Sequence, residues 1–290
     1  MVRSRFAGRR SGGAAGRGPE MDAEYVLWLG HELAALPRAS APAGLVEAAV
    51  GRQEPAAVRA GTATVGMLRY HSFATPAGDL HVAYGERGVV RARLGGTGTA
   101  FAAELMATRS APVDYDERPA ARVARLVADF FAGKRLPLEA FDLRSQGEFA
   151  RRVLAQALAI PRGEVRPYAW LARETGHPGA SRAVGQALGR NPIPVLIPCH
   201  RAVRSDGGLG GYAFGLALKE RLLALEGVDM AALAEQARRG TRYVGSQTTH
   251  VYCQPTCRHA QRIAPRHRVE FAAAAAAEAA GYRPCQVCRP

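Results

Sequence analysis

Cysteine is scarce in this chain of 290 residues: there are five, and none lies in the first 198 residues. Such sparse and late use argues against a disulfide framework of the kind found in small secreted proteins. It suits a reducing compartment, where thiols bind metal or react. We therefore expect a cytoplasmic protein.

Long apolar runs are also missing, since no stretch approaches the roughly 18 consecutive apolar residues of a membrane span. Residues 1–20 are rich in Gly and Arg, and no apolar run follows them, so no secretory signal is predicted. We expect a disordered basic tail there, with Met21 as an alternative start. A helical extension is predicted over 21–65, because apolar residues recur at helical spacing in Asp22–Leu36.

Acidic residues are few: 25 Asp and Glu face 39 Lys and Arg, which gives a formal charge of +14. Such an excess favours a polyanionic partner, because nucleic acid releases condensed counterions when it binds cations. The Arg-rich composition of a GC-rich genome would produce the same excess, so charge alone leaves the partner open. The length and the hydrophobic content of 48% allow two or three domains.

Two segments of different pattern precede the four late cysteines. In 66–145, the alternation of "LHVAYGERGVVRARL" predicts a β-hairpin with one buried face, and a helix is predicted over 120–132. This α/β segment contains no reactive cluster and is interpreted as a scaffold. In 146–228 the pattern is helical, and two short helices joined by a Gly/Pro turn outline a helix-turn-helix. Helix pairs in ordinary cores give a similar pattern.

Cys199 lies between a proline and a histidine in "VLIPCHRAV". Free cysteine is often simply a buried structural residue. A nucleophilic cysteine needs a proton acceptor, and His200 is adjacent in sequence. Adjacent side chains on a strand point to opposite faces, so a bridging water or a bent backbone would be required.

Two stretches of the sequence resemble the O6-alkylguanine-DNA alkyltransferases. They are "SRAVGQALGRNPIPVLIPCHRAVRSDGGLGGYAFGLALKERLLALEG" and, upstream of it, "IPRGEVRPYAWLA". With the hairpin region, the resemblance spans roughly residues 67–227. It implies an α+β fold, with an RNase H-like N-terminal subdomain (66–145) and a winged-helix or helix-turn-helix catalytic subdomain (146–228). It also implies a single-turnover methyltransferase that repairs double-stranded DNA carrying O6-alkylguanine, with O4-alkylthymine as a further candidate substrate.

The resemblance assigns roles to individual residues. Cys199 would take the alkyl group irreversibly, with His200 as its water-mediated base and Glu226 as the acid that orients the histidine. Asn191 would brace the two halves of the site. Tyr168 would assist rotation of the 3′ phosphate and donate a proton to the leaving guanine. No cofactor is implied for this reaction.

Further residues would contact DNA or the alkyl group. Arg182 would fill the base stack after the lesion flips out, a step that costs a few kcal/mol. Arg201 and Tyr168 would contact DNA, and Pro194 and Tyr212 would line the alkyl pocket.

The last fifty residues contain the other four cysteines, Cys253, Cys257, Cys285 and Cys288. C-x3-C with C-x2-C is a four-thiolate zinc pattern, and a pair of disulfides is the alternative. Because a segment this small has few large apolar residues, we expect one zinc ion to stabilise a small α+β domain over 241–290. Residues 229–240 are predicted to be a polar helical linker.

This segment resembles the methyl-acceptor zinc domain of the Ada proteins in "TT..YC.P.C" and "R..F...A.EA...G.RPC..C.P". The resemblance implies that Cys253 is both a zinc ligand and the acceptor of methyl groups from DNA methylphosphotriesters. A purely structural zinc is the alternative.

The sequence is compatible with three functions. The sequence favours a monomeric repair protein with two methyl-accepting cysteines. A zinc-dependent, DNA-binding alkylation sensor with a vestigial Cys199 is the second, and a cysteine hydrolase that uses Cys199 and His200 is the third.

Overall fold

The computed structural model of the chain describes residues 67–109 and 112–290. The predicted basic tail and helical extension, residues 1–65, lie outside the described residues. Among the described helices, none is long and apolar enough to cross a membrane.

The N-terminal part is a four-stranded sheet in the order β3-β2-β1-β4. Strand β1 is antiparallel to β2 and parallel to β4. The strands are β1 (Leu68–Phe73), β2 (Leu80–Gly85), β3 (Gly88–Leu94) and β4 (Val113–Tyr115). Helices α1 (Gly98–Arg109) and α2 (Ala121–Phe131) contribute side chains to two separate apolar clusters with this sheet.

The predicted hairpin of β2 and β3 is present, but both of its faces are buried rather than one. A register shift between Ala83 and Tyr84 pairs Tyr84 with Val89, so that Val90 is the extra residue and turns to the other face. There it joins Ala83 and Phe101 of α1 in an apolar cluster. The sequence does not indicate α1, because its many alanines leave no clear apolar stripe.

The next segment contains the predicted helix-turn-helix, formed by α4 and α5. Helix α3 buries Val153, Leu154 and Ala157 in a core that also includes residues of β2 and α2. The elements are α3 (Glu148–Ala159), β5 (Arg166–Pro167), α4 (Tyr168–Glu174), α5 (Ser181–Gly189), β6 (Ala202–Val203) and α6 (Leu216–Leu225). The two predicted subdomains therefore share one hydrophobic core.

The C-terminal part is a second four-stranded sheet in the order β10-β8-β7-β9. Its elements are β7 (Tyr243–Ser246), β8 (Val251–Cys253), α8 (Arg258–Gln261), β9 (Arg268–Phe271), α9 (Ala274–Ala279) and β10 (Arg283–Pro284). The predicted linker forms α7 (Met230–Arg238), and its Leu233 is buried with Val203 and Leu223. The α+β class is confirmed, whereas the exact domain boundaries stay predictions.

Candidate active site and metal centre

Cys199 follows a tightly folded and fully buried loop, residues 191–198. Val195 in this loop has a φ of 72°, which is disfavoured for a β-branched residue. The amide of Cys199 donates to the carbonyl of Ile197 at 2.8 Å, and a short 3-10 helix begins at the cysteine. The backbone therefore bends at Cys199, and the alternation expected for neighbours on a strand does not apply to Cys199 and His200.

Asn191 connects this loop to the thiol. Its Nδ2 donates to the Sγ of Cys199 at 3.2 Å and to the carbonyl of Ile197 at 2.9 Å. Its Oδ1 accepts from the amide of Ile193 at 3.0 Å. All polar atoms of this buried amide side chain are thus used, and one of its donors stabilises negative charge on the sulfur.

The environment of the Cys199 thiol has opposing effects on its acidity. Burial raises the pKa of Cys199, while the Asn191 hydrogen bond and the charge of Lys219 lower it. Lys219 is itself buried, and its Nζ donates to the carbonyls of Ala202 and Leu209. Burial lowers the pKa of Lys219 to about 8, although the charge of Cys199 acts in the opposite direction. Lys219 is therefore an electrostatic partner of the thiol.

Sequence reasoning missed Lys219. The one signal available was its spacing: it lies three and four residues before Leu222 and Leu223, on the same face of α6. Both leucines are buried, so this face of α6 points inward.

His200 is fully buried, and its Nε2 lies 2.9 Å from the Oε1 of Glu226. Burial alone would raise the pKa of Glu226, but His200 and Arg201 outweigh it and hold that pKa at about 2. Burial lowers the pKa of His200, with Glu226 partly offsetting the effect. At neutral pH the arrangement is therefore a neutral imidazole that donates from Nε2 to a carboxylate. Its Nδ1 has no protein partner among the described residues and is the nitrogen able to accept a proton.

Arg201 does not lie where a DNA contact would require it. Its Nε and Nη2 donate to Glu226 at 2.7 and 2.8 Å, and its Nη1 donates to the carbonyl of Ile160. The residue is only 7% exposed. The prediction that Arg201 contacts DNA is therefore corrected: its guanidinium holds the carboxylate of Glu226.

A cleft of about 870 Å³ opens above Cys199. We call it the active-site cleft; residues that line it include Tyr168, Gly185, Cys199, Arg204 and Tyr212. Pro194 is buried in the loop that precedes Cys199, and its place in the alkyl pocket stays a prediction.

The two tyrosines of the active-site cleft both remain protonated at neutral pH. Burial, and secondarily the charge of Cys199, raises the pKa of Tyr168 and of Tyr212. The hydroxyl of Tyr168 donates to the carbonyl of Gly211 at 3.2 Å. Tyr212 therefore lines the same cleft as Cys199, and Tyr168 has a proton to donate.

Arg182 is exposed on the second position of α5. Its neighbours Ser181 and Gly185 line the active-site cleft. No salt bridge joins Arg182 to a carboxylate in the described part of the chain. The guanidinium is thus available to an external partner at the rim of the cleft.

The four late cysteines converge. All four are buried, and the Sγ atoms of Cys253, Cys257, Cys285 and Cys288 lie within 4.8 Å of one another. The Cys253 thiol donates hydrogen bonds to the sulfurs of Cys257 and Cys288, and these bonds raise its pKa. Four thiolates in this proximity are the ligand set of a closed structural zinc site. The residues therefore fit one zinc ion.

The domain with these cysteines packs against the catalytic segment. The hydroxyl of Thr256 accepts from the amide of Val165 at 2.9 Å and donates to its carbonyl at 3.2 Å. The indole Nε1 of Trp170 donates to the carbonyl of Cys288 at 2.8 Å. As a result, the loop between Cys253 and Cys257 is held against Val165, the residue before β5, and Cys288 is held against α4.

Comparison with known proteins identifies two family models. Residues 148–228 match the DNA binding domain of 6-O-methylguanine DNA methyltransferase, and residues 230–290 match the metal binding domain of Ada.

Individual proteins are also similar. A methylated-DNA–protein-cysteine methyltransferase of Homo sapiens is 38% identical over 160 residues, which covers 53% of this chain and 77% of that protein. One of Methanosarcina barkeri is 49% identical over 106 residues and covers 36% of this chain; the chain spans just under two thirds, 65%, of that relative's length. A crystal structure of Mycobacterium tuberculosis OGT in complex with DNA is 31% identical, covers 57% of this chain and 99% of that one, and has a TM-score of 0.46.

Proposed function

Because this chain belongs to the methylated-DNA–protein-cysteine methyltransferase family and carries an Ada-type metal-binding domain, we propose that it repairs alkylated DNA by taking alkyl groups onto Cys199. The proposed substrate is double-stranded DNA carrying O6-alkylguanine, with O4-alkylthymine as a further substrate. The observation that supports this best is the arrangement at Cys199: a thiol in a cleft, bonded by Asn191 and adjacent to the His200–Glu226 pair. We further expect a monomer that acts in the cytoplasm.

The chemistry would be one displacement. Through a bridging water, the Nδ1 of His200 takes the proton of Cys199, and Glu226 stabilises the imidazolium that forms. The sulfur then forms a bond to the alkyl carbon while the carbon–O6 bond breaks and its electron pair stays on the purine. The hydroxyl of Tyr168 gives a proton to the leaving guanine. The proton that His200 took from the Cys199 thiol then restores the Tyr168 hydroxyl. The thioether on Cys199 has no group in the site that would cleave it, so each molecule would react once.

The stoichiometry of the reaction tests this proposal. With excess duplex containing O6-methylguanine, one equivalent of protein is expected to remove one equivalent of methyl and then stop. Multiple turnover would instead indicate a hydrolase, and no removal would favour a DNA-binding sensor.

Arg182 is the proposed occupant of the base stack after the lesion flips out. Replacing Arg182 with alanine is expected to slow repair of a duplex by about tenfold or more while changing repair of a single strand little, because only a duplex has to be held open. Single-turnover rates on both substrates measure this. Arg190→Ala is the matched control, since Arg190 is an exposed arginine at the other end of α5. Equal losses on duplex and single strand would refute the stacking role.

Cys253 is the proposed second methyl acceptor, from DNA methylphosphotriesters. Its sulfur would bond the methyl carbon, and the phosphate oxygen would keep the electron pair of the broken carbon–oxygen bond. Bound zinc would supply one property here, which is to keep the sulfurs ionised at neutral pH. Cys253 is only 2% exposed, so the loop 253–257 has to separate from Val165 before a phosphate can reach the sulfur.

Weakening the contact between Thr256 and Val165 is therefore expected to speed methylation of Cys253. Thr256→Val removes two hydrogen bonds to Val165, and at about 0.5–1.5 kcal/mol each this predicts roughly a tenfold faster reaction. The measurement is the rate of Cys253 methylation by methylphosphotriester DNA, in a Cys199→Ala background. Thr175→Val is the matched control, because the Thr175 hydroxyl is also buried but bonds only within its own helix end. An unmethylated Cys253 in both variants would mean that the zinc is purely structural.

A further inference from the structure

A second cleft lies between the catalytic segment and the metal-binding domain. Its volume is about 330 Å³, and we call it the interdomain cleft. The catalytic segment contributes residues of β5, α4 and the loop after β6, and the C-terminal part contributes residues around Arg242, Gln254 and Ala273. The cleft therefore depends on the docking of the two parts.

The two clefts adjoin. Arg204 lines both of them. Pro167 and Ala169 line the interdomain cleft, while Tyr168, the residue between them, lines the active-site cleft. A linear ligand that leaves the active-site cleft past Tyr168 and Arg204 thus reaches the interdomain cleft directly.

The charge of the interdomain cleft is positive. Three arginines line it, Arg173, Arg204 and Arg242, and no Asp or Glu is among the described residues that do so. Arg204 forms an ion pair with Asp206. Arg173 donates to the carbonyl of Arg289, and Arg242 donates to the carbonyl of Asp206. Neither of these two guanidinium groups is ion-paired with a carboxylate in the described part of the chain, so both charges are free to meet an anion.

We propose that the interdomain cleft binds backbone phosphates of the same DNA that is repaired at Cys199, on one side of the lesion. The ligand class follows from two features, the guanidinium groups without carboxylate partners and the continuity with the active-site cleft. Arginine contacts to phosphate position a protein on DNA without reading its sequence. The inference rests on the proposed function for the identity of the DNA. It adds a contact region that the helix-turn-helix alone does not have.

The salt dependence of DNA binding tests this proposal. Each phosphate contact contributes about 0.9 to the slope of log affinity against log salt. The zinc-loaded full chain with Arg173→Ala and Arg242→Ala is therefore expected to show a slope smaller by about 1.8 on an unmodified duplex of about 20 base pairs. The charge-retaining variant, Arg173→Lys with Arg242→Lys, should keep most of the slope. Arg118→Ala is the matched control, because Arg118 is exposed and lines neither cleft.

The position of the cleft gives a second readout. In duplexes of equal length with O6-methylguanine near one end or the other, the alanine variants should lose repair rate only when the DNA extends toward the interdomain cleft. An unchanged slope, or equal losses on both duplexes, would overturn the proposal. These outcomes are distinct from failure of the proposed function, since that failure would remove repair by the unaltered protein on every duplex.

Discussion

Replacing Cys199 with alanine is expected to abolish removal of alkyl groups from O6-alkylguanine completely, while the affinity for duplex DNA changes by no more than about twofold, because phosphate contacts dominate that affinity. The reason for the total loss is chemical: among the described residues that line the active-site cleft, Cys199 is the only one with a thiol. Cys199 is 5% exposed and lies in the core, and alanine fills most of its volume, so the fold should persist. Transfer assays and DNA titrations on the same preparation measure both parts.

The control for this variant is the serine substitution. Cys199→Ser retains a hydrogen-bonding group toward Asn191 but is a far weaker nucleophile at neutral pH, so it should also be inactive. Methyl removal by either variant would contradict the assignment of the nucleophile.

Replacing Glu226 with alanine is expected to have the second largest effect, on stability as well as on reactivity. The carboxylate pairs with His200 and with the buried guanidinium of Arg201. Removal of one partner of a buried ion pair typically costs about 3–5 kcal/mol, because the remaining charge stays buried. The apparent pKa of Cys199 should rise at the same time, because the imidazole loses the group that stabilises its protonated form.

Two measurements separate these effects. Denaturant unfolding gives the loss of stability, and the pH dependence of thiol alkylation by iodoacetamide gives the apparent pKa of Cys199. Glu226→Gln should keep hydrogen bonds to both partners and lose less stability, yet it should shift the alkylation profile in the same direction. If the profile of the alanine variant equals that of the unaltered protein, the His200–Glu226 pair does not serve Cys199.

The acid stability of the protein follows from the same carboxyl. The pKa of Glu226 is about 2 in the folded state, against an ordinary value of 4.5. A depressed carboxyl pKa stabilises the fold fully above the ordinary value, and the contribution is lost as the pH falls from about 4.5 toward 2. This loss should be absent from Glu226→Ala.

Sequence reasoning reached the chemistry at Cys199 because the informative residues are close together in the chain. The contacts between distant residues were harder. Arg201 is a basic residue beside the nucleophile, and sequence alone suggests DNA, whereas the fold brings Glu226 to it from 25 residues away. Lys219 could not be singled out, because a lysine among leucines on a helix is usually exposed.

The packing of the C-terminal domain lay equally beyond the sequence. The contact of Thr256 with Val165 joins residues 91 positions apart. The cysteine spacing predicted the ligand set, since four thiolates impose their own geometry. It carried no information on which surface of the domain would be covered, and hence none on the burial of Cys253 or the formation of the interdomain cleft.

The most direct test of the account is to locate the transferred group. The zinc-loaded protein would be incubated with a duplex containing one isotopically labelled O6-methylguanine, digested, and analysed by peptide mass spectrometry. We expect one methyl group per molecule, on Cys199 and on none of the four cysteines of the metal centre. Label on Cys253 or another residue, or label released as methanol with Cys199 unmodified, would contradict it.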